Sequence, residues 1–142
     1  MAFTLAAAGL VTHIAVVPII QNIYPIIRSI KSSLHSKEVI DIIDEKDIEA
    51  TLPVMEELFN EITSKKNSKT VCLALKNLED TLKDVHNLLD IINKKTIDHS
   101  NKYFSSWRAL DISIEIKELE KKFNLLEKRF KLLHEILTLY NK

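Results

Sequence analysis

Five histidines, one cysteine and twenty acids are the residues of this 142-residue chain that carry reactive chemistry, and their spacing decides whether they work together. His86 stands among Glu79, Asp80, Lys83 and Asp90, a spacing that lays all five along one helical surface. His134 and Glu135 are neighbours near the C-terminal end; His13 lies in an apolar opening, and His35 and His99 lie in polar stretches. No H-x-x-x-H, E-x-x-H or C-x-x-C occurs, so the metal-ligand patterns are missing. Cys72 has no histidine beside it and reads as a small packing residue. The one glycine, Gly9, sits in the apolar opening, so there is no glycine-rich loop to hold a phosphate. The expectation is a protein that is not an enzyme and takes no metal or cofactor.

Charge and aromatic clusters suggest binding instead. Lys121, Lys122, Lys128, Arg129 and Lys131 crowd one segment, interleaved with Glu118, Glu120 and Glu127. They read either as the solvated face of a helix or as a patch facing phospholipid head groups. Tyr103, Phe104 and Trp107 lie beside Lys102 and Arg108 and read as core anchors or as an interfacial aromatic–basic group. Net charge is zero overall, unlike a nucleic-acid binder, which is normally basic. The zero hides an uneven distribution: residues 35–66 hold four lysines against nine acids, and residues 100–142 hold nine basic residues against six acids.

The elements that must position these residues are helices. Hydrophobic residues at 46% and charged residues at 28% describe one globular domain. One Gly and three Pro are too few for the turns of a sheet protein. A single Cys excludes an internal disulfide framework and fits a reducing compartment. Val71, Leu75, Leu78, Leu82, Val85, Leu89 and Ile92 alternate steps of four and three, as do Ile112, Ile116, Leu119, Phe123, Leu126, Phe130, Leu133, Leu137 and Tyr140. That rhythm is one face of a helix. A shorter stripe runs Ile48, Leu52, Met55, Phe59, Ile62. Leu88, Ile91, Leu125, Leu132 and Ile136 flank the stripes, so the expected buried face is wider than a coiled-coil seam.

Ser32–Ser36, Ser64–Ser68 and Asn93–Asn101 read as loops, with Thr70 as a helix cap. The predicted fold is all-α: an antiparallel up-down four-helix bundle with helices at about 3–31, 37–63, 70–94 and 101–140. Pro53 predicts a kink at Ala50–Thr51 or a new helix capped by Thr51, and Pro18 and Pro25 predict a bent or broken first helix.

From Ala2 to Ile27 the chain has no Lys, Arg, Asp or Glu. A signal peptide normally has basic residues before its apolar run, and here Arg28 and Lys31 come after it. The length suffices for a membrane span, though Thr12, His13, Gln21, Asn22 and the two prolines interrupt it. As a bundle helix it is apolar almost all round. Leu5, Leu10, Val16, Ile19 and Ile26 should then stay exposed or be covered by a membrane or a partner.

TLPVMEELFNEI, ALKNLEDTLKDVHNLLDII and EIKELEKKFNLLEKRF, taken with the apolar start, resemble the helical N-terminal domain of the mixed-lineage kinase domain-like family. They are also similar to HeLo and RPW8-type domains of cell-death proteins and to the helical region before some plant U-box ligases. The resemblance spans roughly residues 10–137 and is one of apolar positions. It implies a bundle that oligomerises and permeabilises membranes, held in check by a regulatory kinase or receptor domain. On that reading the chain is cytoplasmic and relocates to an anionic phospholipid membrane. Leu5, Leu10, Val16, Ile19 and Ile26 insert, and Arg28, Lys31, Lys121, Lys122, Lys128 and Arg129 contact head groups. The alternative is a non-catalytic scaffold that binds a partner protein or self-associates through the same helix.

Overall fold

The computed structural model describes the backbone of residues 2–33, 36–63, 68–101 and 111–140, and side chains within 16–33, 36–62, 68–99 and 111–139. The protein is all-helical. Among the described residues there are five helices and no strand: α1 (Ala2–Lys31), α2 (Lys37–Glu45), α3 (Ile48–Thr63), α4 (Lys69–Asn101) and α5 (Ser113–Tyr140).

The apolar stripes become the core. Every member of the α3 stripe and of the α4 stripe is buried, as are Ile112, Ile116, Leu119, Phe123, Leu126 and Leu133 of the third. α1 contributes Val16, Ile20, Ile23, Ile27 and Ile30 to the same cluster. Of the residues flanking the stripes, Ile91 and Leu132 are exposed, and Leu88 and Ile136 are only half-buried.

Side-chain contacts fix the helix directions. Ser29 of α1 donates to Asn93 of α4 at 2.9 Å, and Ile19 and Asn22 line a hollow with Lys83, His86 and Asn87. α1 and α4 therefore run parallel. Gln21 and Tyr24 meet Glu56 while Lys31 meets Glu49, so α3 runs antiparallel to α1. Lys95 pairs with Glu115, Lys122 with Asp84, and Arg129 reaches Asn77 and Thr81, so α5 runs antiparallel to α4.

The expected helix boundaries shift in four places. The predicted second helix is two, and it divides at Lys46–Asp47 rather than at Ala50–Thr51. The Lys46 and Asp47 amides donate to the carbonyls of Ile42 and Asp44, closing α2. Asp47 takes the left-handed conformation, φ 53°, that turns the chain out of one helix and into the next. Thr51 is not a cap: its amide and hydroxyl both reach the Asp47 carbonyl. Pro53 lies on the exposed side of α3, where the carbonyl it leaves unpaired is open to water. Pro18 and Pro25 are likewise exposed, and α1 runs through both as one unbroken helix.

Asn93–Asn101 is not a loop but the last turns of α4. Thr96 and His99 extend the buried face beyond Ile92 at the same helical spacing, and Thr96 satisfies its hydroxyl on the Ile92 carbonyl. At the other end of α4, Ser68 rather than Thr70 caps the helix, its hydroxyl accepting from the Val71 amide at 3.2 Å. α5 begins at Ser113, where Asp111 accepts from the Ser113 hydroxyl at 2.9 Å and from its amide at 3.3 Å. Those two bonds hold the Asp111 carboxyl below its ordinary range, the hydroxyl first. Tyr103, Phe104 and Trp107, with their basic neighbours, lie outside the described residues.

Candidate functional site

The residues expected to reach a membrane or a partner do not lie together on the surface. Val16 is 0% exposed, and Ile19 and Ile26 are half-buried against the core. The reason is the position of α1. It packs against α4 along one side and α3 along another, so it buries a wider arc than a helix with a single neighbour. The side chains of Leu5 and Leu10 lie outside the described residues.

The expected head-group cations are mostly occupied within the molecule. Lys31 pairs with Glu49 and stands 3.8 Å from Asp44; hydrogen bonding to Glu49 raises its pKa. Lys122 meets Asp84 at 3.0 Å and Lys121 meets Glu118 at 3.6 Å. Arg129 donates from one nitrogen to the Asn77 carbonyl at 2.9 Å and to the Thr81 hydroxyl at 2.6 Å, tying α5 to α4. Arg28 and Lys128 are exposed.

A different surface forms instead, along the edge where α4 begins and α5 ends. Leu73 is 55% exposed, Leu132 49% and Leu139 69%, with Ile136 half-buried on the same side of α5 as Leu132 and Leu139. The register set by Arg129 on Asn77 puts Leu73, one turn before Asn77, beside the turn of α5 that follows Arg129. Lys69, Lys76, Lys128 and Lys131 are exposed around these leucines and form no ion pair among the described residues; Asp80 and Glu135 are the neighbouring acids. α1 enters the bundle from this end, because it runs parallel to α4. The sequence reading overlooked Leu73 and Leu139 and counted Leu132 as core. The usable signal for Leu73 was its position off the Val71–Leu75 stripe.

The seam between α1 and α3 is polar. Glu56 accepts from the Tyr24 hydroxyl at 3.0 Å and from the Gln21 amide at 3.1 Å. Burial, then the Glu56 hydrogen bond and charge, push the Tyr24 phenol up to about 12.

A groove of about 410 Å³ separates the α2–α3 turn from α5, with Met55, Phe123, Leu126 and Phe130 at its floor and Glu45, Lys46, Asp47 and Glu127 at its rim. Among the described residues no three metal-ligating side chains converge. Among the described residues, too, no helix is long and apolar enough to cross a membrane.

No family model and no solved structure matches this chain. It is similar to Uncharacterized protein L717 of Acanthamoeba polyphaga mimivirus, 33% identical over 79 residues. That match takes in 54% of this chain and 38% of the viral protein, so it reaches well under half of the relative's length.

Proposed function

We propose that the chain folds as a four-helix bundle whose second arm is divided into α2 and α3, and that it acts without catalysis. Its role on this reading is that of a membrane-targeting, oligomerising cell-death effector domain that permeabilises anionic membranes. The contact surface is the α4–α5 edge together with the uncharged first half of α1.

One observation carries the proposal: three exposed leucines, Leu73, Leu132 and Leu139, share an edge on which Lys69 and Lys76 flank Leu73 and Lys128 and Lys131 precede Leu132, and none of these four lysines is in an ion pair among the described residues. Apolar side chains sink into the head-group layer, and each basic residue near an anionic surface adds about 1 kcal/mol. The head-group contacts pass from Lys31, Lys121, Lys122 and Arg129, which are engaged internally, to Lys69, Lys76, Lys128 and Lys131.

The test is dye release and flotation with vesicles that contain or lack phosphatidylserine. Release that needs the anionic lipid and disappears in the Leu73→Glu, Leu132→Glu double variant supports the proposal. Equal release by the variant, or none by the unaltered protein, overturns it. The second reading is the scaffold, and the burial of Val16 favours it, because a first helix fixed in the core is not readily released into lipid. A protein that ignores vesicles yet forms a dimer by light scattering, lost on the same substitutions, supports that reading.

A further inference from the structure

The groove beside the α2–α3 turn is unlike the rest of the molecule in how its charges are arranged. At the helix seams, carboxylates are matched to cations: Glu49 to Lys31, Glu115 to Lys95, Asp84 to Lys122. At the groove, Glu45 and Asp47 stand on one bank and Glu127 on the other, and none of the three is in an ion pair among the described residues. The one cation of the lining is Lys46.

Between the banks the floor is soft and aromatic. Phe123 and Phe130 lie one turn to either side of Glu127 on α5; Phe123, Leu126 and Met55 are fully covered, and Phe130 is the ring that solvent reaches. The Phe130 ring is half-buried, which leaves part of it accessible beside the carboxylates. An aromatic face and a carboxylate together attract a weakly hydrated cation more than either does alone. The volume, about 410 Å³, lies in the range of small-molecule sites, and the mix of apolar floor with a few polar groups is theirs too.

We propose that this groove binds a small apolar cation, an aromatic or alkyl group bearing a quaternary or protonated amine. The apolar body lies on Phe130, and the ammonium group sits between Glu127 on one bank and Glu45 and Asp47 on the other. The site is separate from the α4–α5 edge and holds or fails independently of the membrane reading.

The probe is phenylpropyl-trimethylammonium, with phenylpropane sulfonate as the anion of the same body. Backbone amide signals of the full chain are followed during titration. The expected result is saturable movement of Asp47, Thr51 and residues 123–130 with the cation and none with the sulfonate. The triple variant Glu45→Gln, Asp47→Asn, Glu127→Gln should bind about tenfold more weakly, as the loss of three partly exposed attractions implies. These side chains are at the surface, so the variant keeps its fold, which circular dichroism checks. Phe130→Leu keeps the volume and removes the ring, and should weaken the cation while leaving the helical signal unchanged. Three results overturn the proposal: no saturable shifts, equal binding of the sulfonate, or shifts centred on Leu73 and Leu132.

Discussion

The two ends of the α4–α5 pair are closed in different ways. Where α4 ends and α5 begins, Lys95 pairs with Glu115, Lys94 with Asp90, and Asp111 caps Ser113. The Lys95 hydrogen bond holds the Glu115 carboxyl below its usual range. Ile97 and Ile114 are exposed there too, beside Asp98 and Lys117, which are in no ion pair among the described residues. Where α4 begins and α5 ends, Arg129 on Asn77 and Thr81 ties the helices, and beyond it Val71, Ala74, Leu75 and Leu133 carry the packing. There the exposed leucines are next to unpaired lysines. The paired charges of the first end have little left to offer a partner, and the proposed contact draws on the apolar and basic groups of the second.

The largest effect should come from the helix that enters at the apolar end. Val16→Glu places a carboxylate in a site with no exposure, and should cost about 3–5 kcal/mol in urea unfolding. A loss below about 1 kcal/mol would mean that α1 is not fixed in the core there, and would return Val16 to the contact surface.

Next comes the edge itself. Leu73→Glu with Leu132→Glu should abolish most binding to anionic vesicles in a flotation assay, while each change moves stability by less than about 0.5 kcal/mol. A large stability loss instead would make this edge part of the core and erase the contrast between the ends.

Arg129→Ala should cost about 1–2 kcal/mol, since it removes charge-assisted bonds to Asn77 and to the buried Thr81. Read by hydrogen exchange, the loss should be concentrated in the first turns of α4 and the last turns of α5. Uniform loss along both helices would show that the two ends are not separately held.

Asp47→Gly should stabilise the protein by about 0.5–1 kcal/mol in the same unfolding assay, because glycine enters the left-handed conformation without the cost of a Cβ. A neutral or destabilising result would assign the Asp47 side chain a structural role in the α2–α3 turn.

A further effect is a difference in alkaline stability. Tyr24 has a folded pKa of about 12 against an ordinary value of 10.0, so its stabilising contribution is complete below pH 10 and fades between pH 10 and 12 as the unfolded phenol ionises first. Tyr24→Phe should remove that part of the pH dependence, read as the difference between the two unfolding profiles. Identical profiles would mean that Glu56 does not hold the phenol.

Much of the fold was legible because apolar periodicity reports burial directly. The stripes through α3 and α4 and most of the α5 stripe are core residues. Thr96 escaped because a polar residue can occupy the buried face once its hydroxyl is bonded locally, and pattern alone reads it, with His99 on the same face, as loop. Val16 escaped because the number of helices that flank α1 is a property of topology, not of α1. The contact surface was less legible still. Whether Lys31 or Lys131 is free depends on an acid supplied by another helix, and nothing along a single segment states that.

The parallel pairing of α1 with α4 has a consequence for synthesis. Ser29 meets Asn93, 64 positions further along the chain. At about 5–20 residues per second the ribosome needs roughly 3–13 s to make that stretch. During those seconds α1 has been made but the part of α4 that it packs against has not. The face of α1 that packs on α4 must wait for that partner, so the bundle closes late in synthesis.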